Sequence, residues 1–358
     1  MAKGTILVTG TNGGLGSAIV DQILHRPSLA QEYHGLYTVR KVESADAVKS
    51  VLKNASKADH KYDLVPLDLA SLASVRQVAA DINSRVSKGE IPPIRALVLS
   101  AAYQEHGHHD FSKDGFDMSF QASYLSHFLL TLLLLQSMDK EKGRILVLGS
   151  WSHDTTDPRN NVGPFANSYV PEEFHWIFNS PDGSTEAIAK GKWGVESGST
   201  EEQDVCVGMR RYGASKLCEV MMMRELARRI SQDPALSKVA VLGLDPAAMT
   251  SGISRRSGWF VRIFLMNFLF PLLAPITTWL NPNGDLRTTW KSAGDVIHAC
   301  FDTDGGLGEY PNGLYLNGSA VADVGPEAKD EAKCRRLWAD SLGYANVKEG
   351  DTVLADWR

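Results

Sequence analysis

The sequence predicts an α/β protein, a doubly wound parallel sheet of about seven strands in a single domain spanning residues 1–358. Three observations carry this. Short apolar runs alternate strictly with helix-like amphipathic segments through the first 150 residues. The runs are continuous rather than alternating apolar and polar, as in strands buried on both faces. The connections are short, which suits right-handed crossovers between parallel strands.

The first run, Ile6 to Val8, stops at Thr9-Gly10, and a helical pattern starts near Gly14 with Leu15, Ala18, Ile19 and Ile23. Strand, glycine turn and helix is the context of a phosphate-binding loop. The glycines allow a tight turn and close backbone approach. The free N–H groups and the positive end of the helix dipole stabilise a pyrophosphate. The spacing is Thr-Gly-x-x-x-Gly-x-Gly, and the bland alternative is a glycine-rich turn without a ligand.

Further strands are expected at Gly35–Val39, Tyr62–Leu67, Ala96–Leu99 and Arg144–Leu148. Helical spacing resumes through Ala45 to Leu52. Ser71 is positioned to cap a helix whose buried face is Val75, Val78, Ala79 and Ile82. Pro92-Pro93 breaks the chain before the fourth strand, and a long apolar helix covers about Phe116 to Ser137. Ligands in such sheets sit at the carboxyl ends of the strands. The residues there are Asn12, Arg40, Asp68, Ser100 and Ser150.

From Trp151 to Val207 the period is lost. We read 151–207 as an insertion with a packed aromatic half up to Phe178 and a mobile polar half from Ser180 to Asp204. A helix from Val207 to Ile230 follows, then a sixth strand, Val239–Leu244. An apolar run, Gly258 to Leu280, lies within 249–285, read as a substrate lid. Arg262, Asn267, Pro271 and Pro275 argue against a spanning helix. Shallow membrane attachment is the alternative. A helix near Leu286–Phe301, a seventh strand at Gly313–Leu316 and a helix near Pro326–Leu342 complete the chain.

The formal net charge of −5 argues against a nucleic-acid binder. The four cysteines contain no Cys-x-x-Cys pair, which fits buried reduced thiols in a cytoplasmic setting. The N-terminus leads directly into a strand, so no signal peptide is expected. Glu105-His106-Gly107-His108-His109-Asp110 lacks an established metal-ligand spacing and reads as a polar loop. No metal is expected. His153 lies three residues past Ser150 and reads as a structural polar contact.

Tyr212 and Lys216 lie four apart on one helical face. A nearby ammonium favours phenolate and would lower the tyrosine pKa toward the range of a general acid. Alone, such a pair is commonly a surface feature. It is joined here by Thr9-Gly10-x-x-x-Gly14-x-Gly16, by Asp68-Leu69 and by Ser150. Together, in this order and on these elements, they resemble the short-chain dehydrogenase/reductase family, whose members carry the Rossmann fold. The likeness covers nearly all of the chain apart from the insertion. Arg144 to His153 looks like the retinol-dehydrogenase-like and protochlorophyllide-reductase-like branch. The C-terminal third is similar to fungal members acting on sterols or secondary metabolites.

The resemblance implies that Tyr212 is the proton donor, that Lys216 holds the nicotinamide ribose, and that Ser150 binds the substrate oxygen. Gly10, Asn12, Gly14, Leu15 and Gly16 would line the pyrophosphate loop. Asp68 and Leu69 would flank the adenine, and Ala101 would pass the cofactor. Pro246 with Thr250 or Ser251 would meet the carboxamide and pyrophosphate side. Arg40 ends the second strand where an acid would select NAD. An arginine can instead pair with the 2′-phosphate of NADP, so NADPH is expected.

Three positions depart from the family pattern. Ser100-Ala101-Ala102 stands for Asn-Ala-Gly, Ser123 for the asparagine that holds a relay water, and Pro246-Ala247 for Pro-Gly. The implied activity is hydride transfer between a nicotinamide and a ketone or secondary alcohol on a bulky apolar substrate, such as a polyketide, terpenoid or sterol-like molecule. The alternatives are a nucleotide-binding scaffold without redox turnover and a non-redox cyclase or epimerase. Related chains pair through the long apolar helix and the tyrosine helix, and the insertion leaves monomer and homodimer both open.

Overall fold

The computed structural model describes residues 2–105, 108–162, 165–179, 184–195, 206–249 and 269–358. Eight strands form one sheet: β1 (Gly4–Val8), β2 (Tyr33–Val39), β3 (Tyr62–Pro66), β4 (Ile94–Leu99), β5 (Arg144–Leu148), β6 (Ala240–Asp245), β7 (Tyr315–Asn317) and β8 (Ala320–Ala322). Their order is β3-β2-β1-β4-β5-β6-β7-β8. All neighbours are parallel except β7 and β8, which pair antiparallel.

The helices are α1 (Gly14–Leu24), α2 (Pro27–Glu32), α3 (Asp46–Leu52), α4 (Leu72–Ser87), α5 (Ser126–Leu134), α6 (Glu186–Ala189), α7 (Val207–Gln232), α8 (Phe270–Leu280), α9 (Thr289–Phe301) and α10 (Glu331–Tyr344). A π-helical turn, Phe120–Leu125, leads into α5.

Strand side chains alternate between two cores. Ile6, Val8, Val98, Leu146 and Leu244 pack with residues of α1, α3 and α9. Leu7, Leu97, Leu99, Ile145 and Val147 pack with residues of α4, α5, α7 and α10. The chain leaves β1 toward β2 on one side and returns to β4 on the other. That switch opens a crevice at the carboxyl ends of β1 and β4.

The doubly wound parallel sheet expected from the sequence is present, with one strand more than expected. β8 is a three-residue antiparallel edge strand, too short for a periodic signal. Helix α2 was also not foreseen; its six residues begin at Pro27. Helix α9 starts at Thr289 rather than near Leu286, because the Thr288 hydroxyl accepts from Lys291 N and caps it. All four cysteines are free and buried.

Part of the polar half of the insertion is packed against the fold. Thr185 hydrogen-bonds Asp340, and Ile188 and Ala189 of α6 are buried. Residues 180–183 and 196–205 lie outside the described residues. The expected lid, 249–285, lies largely outside the described residues. Residues 250–268 are not described, and α8 turns its apolar side chains to solvent: Leu272, Ile276 and Leu280 are exposed, and Trp279 is 80% exposed. Among the described residues no helix is long and apolar enough to cross a membrane.

Candidate active site

The glycine loop is shaped by close approach. Gly10 adopts φ +70°, and a Cβ there would lie 2.8 Å from Ala101 Cα. A Cβ on Gly16 would lie 2.4 Å from the Gly10 carbonyl oxygen, so only glycine lets α1 sit this close beneath the turn. No side chain caps the start of α1 at Gly13, which leaves its first N–H groups for a ligand. Gly10, Asn12, Gly14, Leu15 and Gly16 all line a cavity of about 870 Å³. A pyrophosphate fits this cradle, where added Cβ atoms would fill the space.

Arg40 and Lys41 line the same cavity beside Ser44, and Arg40 is exposed. Among the described residues no carboxylate pairs with Arg40. Asn12 lines the loop, but its side chain bridges to Ser44 O (3.1 Å) and Ala47 N (3.0 Å). Leu69 lines the cavity, whereas the Asp68 carboxylate pairs with Lys113 at 3.1 Å and accepts from Ala70 N. Ala101 and Pro246 also line it. Thr250 and Ser251 lie outside the described residues.

At the far end of the cavity stand Ser150, Tyr212 and Lys216. Ser150 follows β5 and accepts from Ser152 N (3.3 Å) and Ser152 Oγ (3.0 Å). Its hydroxyl faces the Tyr212 phenol and exerts a small downward pull on its pKa. Lys216 is buried, and its Nζ donates to Leu148 O at 2.8 Å and to Glu219 Oε2 at 2.7 Å.

The expected lowering of the Tyr212 pKa is not what the structure shows. Burial is the largest influence and raises it; Lys216 pulls it down, while Glu219 and Asp245 push it up. Lys216 acts on Tyr212 as half of an ion pair rather than as a lone cation. Burial also pushes the Glu219 carboxyl up to about 7, against the pull of Lys216.

Ser123 is fully buried and does not line the cavity. Its hydroxyl accepts from Tyr103 N at 3.1 Å. Its backbone carbonyl accepts from His127 Nδ1 at 2.7 Å, which makes the opposite ring nitrogen an acceptor for the Thr9 hydroxyl. His153 contacts Ser150 O through Nδ1 at 2.6 Å and accepts from Gly325 N through Nε2. Both its nitrogens are thus used within the fold, in line with the structural reading. In the polar loop, His109 pairs with Asp117 at 3.3 Å, and residues 106–107 are not described.

The sequence reading missed Glu219, His127 and Asp245. Glu219 was accessible from spacing, since it stands three residues after Lys216 on the same face. Asp245, buried at the end of β6, accepts from Ala247 N and lies 3.4 Å from Arg159 of the insertion. No local pattern announces that meeting.

The insertion is fastened to the first turns of α7. Arg210 Nε donates to Ser168 O at 2.6 Å and Nη1 to Gly194 O, with the guanidinium 3.6 Å from the Phe174 ring centroid. Tyr169 packs against Gly213, where a Cβ would collide with its hydroxyl. Ile177 N and Phe178 N both donate to the Glu327 carboxylate at 2.8 Å.

Residues 4–162 match the family model described as short chain dehydrogenase. The chain is 56% identical over 99% of both lengths to the short-chain dehydrogenase iccH of Talaromyces variabilis. It is 27% identical to the chloroplastic protochlorophyllide reductase of Pisum sativum, covering 94% of this chain and 77% of that one. Among solved structures, an NADPH-bound carbonyl reductase from chicken fatty liver aligns with TM-score 0.55 at 16% identity, over 90% of this chain and 99% of that one. The angucycline C-6 ketoreductase LanV with bound NADP also aligns with TM-score 0.55 at 16% identity, over 89% and 95%. These two share the fold. With the fold, the glycine loop and a relative matched over nearly its whole length, the chain belongs to the short-chain dehydrogenase/reductase family of oxidoreductases.

Proposed function

We propose that the chain is an NADPH-dependent reductase of a ketone on a bulky apolar substrate of the polyketide, terpenoid or sterol kind. One observation carries the reading: Ser150, Tyr212 and Lys216 open into the same cavity as the glycine loop and Arg40. Gly10, Gly14 and Gly16 would hold the pyrophosphate, Arg40 the 2′-phosphate and Lys216 the nicotinamide ribose. Bound NADPH supplies the hydride.

The chain's own residues do the rest. The Ser150 hydroxyl holds the carbonyl oxygen, and Tyr212, kept as a phenol by its raised pKa, transfers its proton to that oxygen. Trp151, Tyr103 and Met209 line the cavity near this end and give the substrate an apolar wall. The NADPH bound to the chicken carbonyl reductase and the NADP bound to LanV support the cofactor choice.

The test is a fluorescence titration with NADPH and NADH on wild type and Arg40→Ala, followed by a ketone panel read as NADPH consumption. Preferential NADPH binding that Arg40→Ala weakens, with turnover on apolar ketones, is expected. Binding without turnover on any ketone leaves a nucleotide-binding protein. Product formation without NADPH loss points to a cyclase or epimerase. The exposed apolar face of α8 supports shallow membrane attachment, and co-sedimentation with phosphatidylcholine vesicles tests it.

A further inference from the structure

Behind the reacting face of Tyr212 lies a charge that the Ser150, Tyr212 and Lys216 set does not itself require. Glu219 leaves α7 on the same face as Lys216 and takes a 2.7 Å hydrogen bond from its Nζ. The carboxylate is fully buried, and its Oε1 has no hydrogen-bond partner among the described residues.

The other titratable groups around it are accounted for. His127 of α5 places Nδ1 4.0 Å from Oε1, but that nitrogen donates to Ser123 O. Burial holds the ring neutral. The neighbouring Cys218 thiol is buried and pushed up, so it stays protonated. Asp245 of β6 and Tyr315 of β7 also face this region, and the Tyr315 phenol is held protonated by burial and by both carboxylates. The cation that acts on Glu219 is Lys216.

Lys216 Nζ lies 5.6 Å from the Tyr212 ring centroid. A lone ammonium at that distance stabilises a phenolate. An ammonium paired with a carboxylate acts as a dipole, whose influence falls off faster.

We infer that Glu219 is a positioning residue: it holds Lys216 Nζ between its own carboxylate and Leu148 O. By offsetting the ammonium charge it keeps Tyr212 a phenol, and so biases the site toward protonating a carbonyl over deprotonating an alcohol. The inference rests on the reading of Tyr212 as the proton donor. In the favoured direction the Tyr212 O–H bond breaks as the product O–H bond forms, leaving a tyrosinate.

The test uses Glu219→Gln and Glu219→Met in the full chain. Tyr212 ionisation is read at 295 nm as the difference between each protein and the same protein carrying Tyr212→Phe. The pH profiles of ketone reduction and alcohol oxidation are recorded beside it. Both variants are expected to lower the ionisation of Tyr212 by about one pH unit. The alkaline fall of reduction and the rise of oxidation should move down in pH by the same amount.

An unmoved Tyr212 ionisation in folded variants overturns the inference. Failure of both variants to fold by circular dichroism also overturns it, since Glu219 would then serve the core alone. A wild type that reduces no ketone would remove the proposed reaction yet leave the 295 nm comparison readable, which keeps the two failures apart.

Discussion

His127 Nε2 lies 3.0 Å from the Thr9 hydroxyl oxygen, so a side chain of α5 is joined to the residue that starts the glycine loop. The same oxygen accepts from Ser100 N at 2.9 Å and Ala101 N at 3.0 Å. One hydroxyl therefore pins the ends of β1 and β4 to the helix covering them. Thr9→Val keeps the shape and leaves these partners unsatisfied. It should cost about 2 kcal/mol or more in urea denaturation and weaken NADPH binding. Thr9→Ser should restore both.

The same histidine makes a prediction for acid. Burial lowers the His127 pKa from 6.5 to about 3. In that window the unfolded chain binds a proton that the folded chain refuses, so stability rises with pH up to 6.5 and falls below it. The slope is about 1.4 kcal/mol per pH unit for this one group. His60 and His153 are shifted the same way by burial. His127→Gln should reduce the dependence of unfolding free energy on pH between pH 4 and 6 by about one proton. An unchanged slope would count against a neutral buried ring.

Gly16→Ala places a methyl group where the Gly10 carbonyl oxygen already stands. The backbone must shift at the loop. NADPH affinity should fall by roughly tenfold or more, which corresponds to about 1.4 kcal/mol. Calorimetric titration checks this, and Ser17→Ala, one residue along, serves as the control.

Tyr212→Phe removes the proposed proton donor and keeps the ring. Turnover should drop by about 100-fold or more, the range of a lost general acid. NADPH affinity should stay close to wild type, because the glycine loop and Lys216 are untouched. Unchanged turnover would sink the proposed chemistry.

The family resemblance implies pairing through α5 and α7, and here the chain's own C-terminal part packs on both, with the Arg229 guanidinium of α7 4.7 Å from the Trp338 ring centroid. The Phe128 and Trp338 rings meet at 4.9 Å, Tyr124 Oη and Ser341 Oγ at 2.7 Å, and Trp338 Nε1 donates to Trp357 O. A monomer is the expected species in analytical ultracentrifugation at micromolar concentration. A dimer would show that pairing uses another surface.

The architecture was legible in the sequence because buried parallel strands write continuous apolar runs and glycine turns punctuate them. Val8-Thr9-Gly10 and Leu148-Gly149-Ser150 are cases in point. Ser150, Tyr212 and Lys216 were recognisable as a set, and the structure brings them to one cavity with Gly10 and Arg40. What escaped were relationships between distant segments. Asp245 meets Arg159, and His127 meets Thr9; neither pair has a local period. The outward face of α8 escaped for another reason: an apolar helix reads alike whether its side chains meet a ligand, a core or water.

The hold of Arg210 on Ser168, Gly194 and Phe174 bears on how this chain can be recombined. Arg210 stands two residues before Tyr212, so the insertion and the proposed proton donor share an attachment point. A chimera that takes the tyrosine helix from a shorter relative would remove the Arg210 anchor of 151–207 and leave only its ties to Glu327, Asp340 and Asp245. One that trims the insertion would take Ser168, Gly194 and Phe174 away from a buried guanidinium. The two segments form a single inheritable unit, and exchange between relatives should succeed only when the crossover points lie outside both.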